Sequence, residues 1–144
     1  MNLLKQLIVS AKSNPMIEIC GFIGYDGKSF VYRQMTNHNP QPNDFFSISP
    51  LDYLKFKNEF VLVAVFHSHI KSGCEPSSFD LANSKNCALP FLVYSIPENK
   101  FGLHVPENSE VNENLLQEFK NLLWLLFLSM DIWAKNTAKN TAFR

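Results

Sequence analysis

The sequence has 144 residues, 46% of them hydrophobic and 18% charged, which suffices for one globular domain with a sizeable core. Thirteen Lys plus Arg offset thirteen Asp plus Glu, so no basic surplus exists to neutralise a run of phosphates, and nucleic-acid binding is excluded as the main task. Cys20, Cys74 and Cys87 are odd in number, share no CxxC spacing and follow no secretory signal, a pattern that fits neither a disulfide framework nor a zinc knuckle and points to a reducing, cytoplasmic compartment.

Leu3, Leu4, Leu7, Ile8 and Ala11 recur at helical spacing, and Asn14-Pro15 closes that segment; Lys5, Gln6 and Lys12 interrupt it too often for a membrane span or signal peptide. Two apolar runs, Ile17 to Gly24 and Ser29 to Met35, flank a Tyr25-Asp26-Gly27-Lys28 turn and predict a hairpin. Residues 37–43 form a proline-broken polar loop. Phe45, Phe46 and Ile48 then predict a brief strand, and Ser49 caps a helix that begins at Pro50 and runs through Leu51, Tyr53, Leu54 and Phe56. Val61 to Phe66 is continuously apolar and β-branched, the pattern of a central strand buried on both faces. Ser77 and Asp80 have capping-box spacing for a helix over about 78–87. Strands are predicted at Phe91 to Ile96 and Phe101 to Val105, around a Pro97-Glu98-Asn99-Lys100 turn. A C-terminal helix over 107–134 carries Leu115, Leu116, Phe119, Leu122, Leu123 and the apolar run Trp124 to Trp133; being apolar all round, it calls for burial under its own domain, against a partner, or at a membrane surface. The polar repeat in residues 135–144 predicts disorder. Interleaved helices and strands give an α/β or α+β class around a mixed sheet.

His67 and His69, two apart on a strand, project to the same side, which is metal-ligand geometry; Asp80 can return to the strand end as a third, oxygen ligand, and the set suits zinc with a fourth position open to water. Each residue also has a plainer reading. The histidine pair can be a polar strand terminus, Ser77 and Asp80 a helix cap, and Glu18 an edge-strand residue facing solvent rather than a buried carboxylate facing a cation. His38 and His104 stand apart as structural residues, Cys20 and Cys87 as small apolar ones; Cys74, in the loop after the histidines, is a candidate fourth ligand of a latent state.

Taken together, Glu18 in a Glu-x-Cys-Gly-Phe setting and His67-Ser68-His69 followed by Ser77 and Asp80 spell H-x-H-x7-S-x2-D with an upstream Glu. This resembles the JAMM (MPN+ or JAB) metalloprotease family over about residues 1–106. Gly73-Cys74 also looks like the family's eukaryotic isopeptidases, while Ile70 stands where most members have proline. The phrases Phe46-Ser47-Ile48-Ser49-Pro50-Leu51-Asp52-Tyr53-Leu54 and Leu89-Pro90-Phe91-Leu92-Val93-Tyr94-Ser95-Ile96-Pro97 look most like the bacteriophage branch, tail assembly proteins in which a JAB domain commonly precedes an NlpC/P60 domain. No Asp-Cys nucleophile motif follows residue 106, so the expectation is a stand-alone or truncated version.

The resemblance implies a cytidine deaminase-like, three-layer α/β fold with a curved mixed sheet flanked by helices. It implies Zn2+ held by His67, His69 and Asp80, Glu18 as general base, and Ser77 as oxyanion donor. The expected activity is hydrolysis of a peptide or isopeptide bond, in tail proteins or peptidoglycan peptides, within a bacterial host cell or a virion. Two rivals are a non-catalytic MPN-type scaffold and a JAMM peptidase that trims a ubiquitin-like sulfur carrier; a homodimer or partner contact through the C-terminal helix is open in each. A zinc deaminase is excluded by the absence of H-x-E and P-C-x-x-C, and the commoner zinc-protease helix by the absence of HExxH.

Overall fold

The computed structural model describes residues 1–130; the predicted helix end near Trp133 and the tail over 135–144 lie outside them. In chain order the elements are α1 (Leu3–Lys12), β1 (Cys20–Tyr25), β2 (Phe30–Met35), α2 (Pro50–Glu59), β3 (Val61–His69), α3 (Ser78–Cys87), β4 (Phe91–Ser95), β5 (Lys100–His104) and α4 (Glu113–Leu128). The strands form one five-stranded mixed sheet in the order β2-β1-β3-β4-β5, with β3 and β4 parallel and every other pairing antiparallel. The parallel pair needs a crossover, which α3 and its flanking loops supply.

β3 is the middle strand, and its last seven residues are all buried, which is what its unbroken β-branched sequence demands of a strand covered on both faces. Pairing Cys20 with His67 and Phe22 with Val65 places these residues on one face, together with Phe91 and Val93 of β4. α2 and α3 cover that face. Phe22 meets Tyr53 and Phe56 of α2 with ring centroids 6.0 and 5.2 Å apart. The other face carries Phe66, Tyr94 and Phe101, and α4 closes it through Phe119 on Phe30 (5.3 Å) and Phe127 on Phe101 (5.7 Å). α1, which buries Leu3, Leu4, Leu7 and Ala11, runs against β2 and β4.

Three expectations need correction. Phe45 to Ile48 forms no strand: Ser47 bonds His38 and Asn37, within its own loop, so side-chain and turn bonds take the place of a ladder. β1 begins at Cys20 instead of Ile17, because the Glu18 N–H donates to the Pro42 carbonyl (2.7 Å) in the same loop. α4 is not buried all round; Leu116, Phe119, Leu123 and Phe127 face inward, while Trp124, Leu125 and Leu128 are exposed at 41, 63 and 55%. No helix among the described residues is long and apolar enough to cross a membrane.

Candidate metal centre

β3 runs on through His69, so both histidines belong to the strand itself and share its α2/α3 side, as the two-residue period requires. α3 supplies the third group. Its N-cap Ser77 accepts from the Asp80 N–H (3.1 Å), and Asp80 Oδ2 accepts from the Ser77 N–H (3.0 Å), so the capping box forms and at the same time aims the Asp80 carboxylate at β3. Oδ1 of Asp80 stands 3.1 Å from His67 Nε2, and Oδ2 stands 3.0 Å from His69 Nε2. Glu18 reaches the same place from the lead-in to β1. Single donor atoms of Glu18, His67 and His69 all lie within 4.8 Å of one another, and all three residues are buried. The solvent-facing alternative for Glu18 is thereby removed.

Burial drives the electrostatics. It raises the Glu18 carboxyl to about 8, against the charge of His69 and with the charges of Asp80 and Asp44. It pushes His67 down, and Asp80 only partly offsets this, so the imidazole is neutral. For Asp80, burial alone would raise the pKa, but the two imidazoles beside it and the bond from the Ser77 N–H hold the carboxyl well below the usual carboxylate range. His69 is raised, because contacts with Asp80 and the Gly73 carbonyl outweigh its own desolvation.

These details test whether a metal fits. The Gly73 carbonyl lies 2.7 Å from His69 Nδ1 and can only accept, so Nδ1 carries the hydrogen. A neutral His69 then turns its Nε2 lone pair to the Asp80 carboxylate at 3.0 Å, a contact that either a bound cation or a proton on Nε2 satisfies. His67 is wholly buried; its Nε2 is within contact distance of Asp80 but poorly aligned, and neither ring nitrogen makes a hydrogen bond. Donors about 2.0–2.1 Å from a tetrahedral zinc stand about 3.3 Å apart. The histidine nitrogens stand 3.1 and 3.0 Å from the two separate oxygens of Asp80, a spacing that leaves an ion room to be shared after small adjustments. An orphaned buried nitrogen and a set of two imidazoles with a carboxylate fit zinc.

Ser77 is exposed, and its Oγ is engaged with the helix cap. Cys74 is outside the Glu18–His67–His69 cluster; its N–H donates to Glu98 Oε1 (3.1 Å). His38 lies in the loop and His104 ends β5.

Several supporting residues escape a motif reading. Ser95, wholly buried, donates its hydroxyl to the Ser72 carbonyl (2.6 Å) and accepts from the Glu98 N–H (3.2 Å), while Glu98 holds the Cys74 N–H. Together they fix the turn that presents the Gly73 carbonyl to His69. Ser68, whose side chain leaves the opposite face of β3, accepts from the Ile19 N–H at 3.0 Å, and its own N–H donates to the Ile19 carbonyl at 3.0 Å. Asn37 donates to the Glu18 carbonyl at 2.8 Å. The only sequence signal for these was a polar residue type inside or beside an apolar run.

Known proteins agree with this architecture. The chain is 31% identical over 81 residues to the tail tip assembly protein K of Escherichia phage N15, covering 56% of this chain and 33% of that one, so it spans about a third of that relative's length. A protein of Desulfitobacterium hafniense solved in solution shares the fold with a TM-score of 0.57 at 24% identity, over 74% of this chain and 82% of that one. A JAB1/MPN domain protein from Archaeoglobus fulgidus gives a TM-score of 0.48 at 19% identity, over 76% of this chain and 90% of that one. Residues 2–105, which hold the whole sheet and all the groups at the candidate metal centre, match the prokaryotic homologs of the JAB domain, and the chain belongs to that family.

Proposed function

We propose that the protein is a zinc-dependent peptidase or isopeptidase that hydrolyses an amide bond, in tail assembly of a phage or prophage or in processing of cell-wall peptides. The observation that carries this reading is the convergence of buried donor atoms: Nε2 of His67 and of His69 stand 3.1 and 3.0 Å from the two oxygens of Asp80, and Glu18 lies beside both histidines. His67, His69 and Asp80 would hold the ion. Zinc bound there supplies a Lewis acid and brings the pKa of a water toward about 7.

Glu18 takes the proton from the attacking water and passes it to the leaving nitrogen. Its burial beside the two histidines suits a base that must hold a proton between these two events. The Ser77 hydroxyl keeps a free proton after accepting from the Asp80 N–H and donates to the developing oxyanion, a contact worth about 3 kcal/mol where geometry is good. The likeness to a tail tip assembly protein supports the phage setting, in a bacterial host cell or a virion, with tail proteins or peptidoglycan peptides as substrates. An assembly role is the second reading, and the exposed Leu125 and Leu128 of α4 favour it as a contact face for a partner or a second copy.

The test joins metal analysis to a substrate panel of peptidoglycan peptides and linear or branched ubiquitin-like fusions. The natural protein should hold one zinc per chain and cleave at least one substrate class. Glu18→Gln should keep zinc and lose 100-fold or more in kcat, whereas Asp80→Ala should lose the zinc itself. Zinc with no cleavage of any substrate would turn the reading to assembly; full turnover in Glu18→Gln would overturn the base assignment.

A further inference from the structure

Glu18 is not carried by the sheet. Its N–H donates to the Pro42 carbonyl (2.7 Å) and its carbonyl accepts from Asn37 Nδ2 (2.8 Å), so both of its backbone polar groups are bonded to the loop over residues 36–49. The Asn37 side chain uses two donors and two acceptors there. Nδ2 also donates to the Phe45 carbonyl (2.9 Å), and Oδ1 accepts from the N–H groups of Asn39 (3.0 Å) and Ser47 (3.1 Å). Between the two residues that this amide fixes lies Phe46, whose ring stacks on His67 with centroids 4.4 Å apart and 26° between planes. On the other side of Glu18, Ile19 is bonded twice to Ser68, the residue between the two histidines.

We propose that Asn37 is the positioning residue of this site: one side-chain amide sets the Glu18 carboxylate and the Phe46 wall behind His67 in a fixed relation. Only a carboxamide at this position satisfies two carbonyls and two N–H groups at once. An alanine leaves four backbone groups to water, and of the two loop bonds to Glu18 only the one from its N–H to the Pro42 carbonyl remains, beside the Ile19–Ser68 pair on its other side. The ligands do not depend on it, since His67 and His69 are set by β3 and Asp80 by its capping box. The proposal rests on the hydrolase reading for its kinetic consequence, and on the geometry alone for its structural one.

The experiment compares Asn37→Ala with Leu7→Ala, a cavity in the core of α1, an element that lends no side chain to the site. Both zinc-loaded variants are crystallised, their zinc content and melting temperatures measured, and kcat and KM determined on whichever panel substrate the natural protein cleaves. In Asn37→Ala, zinc stays at one per chain, Glu18 is displaced by about 1 Å or more, and kcat falls about 10- to 100-fold with KM within twofold. Leu7→Ala lowers the melting temperature and leaves Glu18 in place and kcat within twofold. Glu18 unmoved in Asn37→Ala, or a kcat loss no greater than that of Leu7→Ala, overturns the proposal. If the natural protein cleaves nothing while Glu18 still moves in Asn37→Ala, the positioning role stands and the hydrolase reading falls.

Discussion

Glu18 is the residue whose environment departs furthest from that of a free carboxyl. Burial raises it to about 8 from an ordinary 4.5, so between those values the folded protein without metal holds a proton that the unfolded chain has released. More protons bound in the folded state means that stability falls as pH rises through this window. Asp80 acts far below it and the His67 shift is common to both proteins being compared, while His69, raised in part by the Glu18 charge, is coupled to the same titration. Glutamine mimics the protonated acid at every pH. The stability of Glu18→Gln over the natural protein should therefore grow from pH 4.5 to 8, by about 1 kcal/mol per pH unit at the steepest. Urea unfolding of both metal-free proteins at pH 5, 6.5 and 8 checks this, and a gap that stays constant would show Glu18 to be solvated. At this scale the sequence was informative where a residue's role comes from its own chemistry: two imidazoles on one strand face and a carboxylate three residues into a helix can be read as letters. It was silent on Asn37, Ser95 and Glu98. Their roles arise from partners 8–24 positions away, as in the pairing of Glu98 with Cys74, and no local pattern marks an asparagine in a polar loop as the residue that holds Glu18.

Among the elements, helices and inner strands followed their periodicity and caps, down to Ser49 and Ser77 as N-caps. The failures cluster in the approach to the site. Phe45 to Ile48 has strand propensity, yet Asn37 and His38 bond it into a loop, and separate bonds from Asn37 and to the Pro42 carbonyl hold Glu18 out of β1. The loop after β3 is constrained differently, by closeness to its neighbour. A Cβ on Gly102 of β5 would stand 2.5 Å from the Cys74 carbonyl oxygen, a backbone atom with no rotamer to turn away. Gly102→Ala must therefore shift the segment that carries Gly73, and with it the carbonyl that fixes the His69 tautomer at 2.7 Å. Zinc affinity should fall about 10- to 100-fold, read by competition with a chromophoric chelator, while circular dichroism stays that of the natural protein. Unchanged affinity would mean that the loop adapts without moving Gly73.

For the whole molecule the question is whether a zinc ion at this centre would build the fold or occupy it. The apolar core runs unbroken from α1 through both faces of the sheet to α4, with Leu4, Phe66, Tyr94, Phe119 and Leu123 among its wholly buried side chains. None of these needs the ion for its contacts. The strand order that assembles them could not be read from the sequence, because the parallel β3–β4 pair and the outer placement of β2 and β5 are set by long-range packing and leave no periodic trace. Nor could the sidedness of α4, where aromatic and aliphatic residues fill both the inner and outer faces. A core of this extent should keep the protein folded after chelation, unlike small zinc domains that are unfolded without metal. A zinc ion would then act as a ligand of the folded state and stabilise it by mass action, about 2.7 kcal/mol when free zinc is 100 times its Kd. For a domain of this length each kcal/mol moves Tm by about 3 °C, so zinc should raise the melting point of the chelated protein by about 8 °C. The same titration on Asp80→Ala should show almost no shift. Calorimetry with and without chelator separates the cases: a chelated protein with no cooperative transition at all would mean that the ion is part of the core, and an equal shift in Asp80→Ala would place the ion elsewhere.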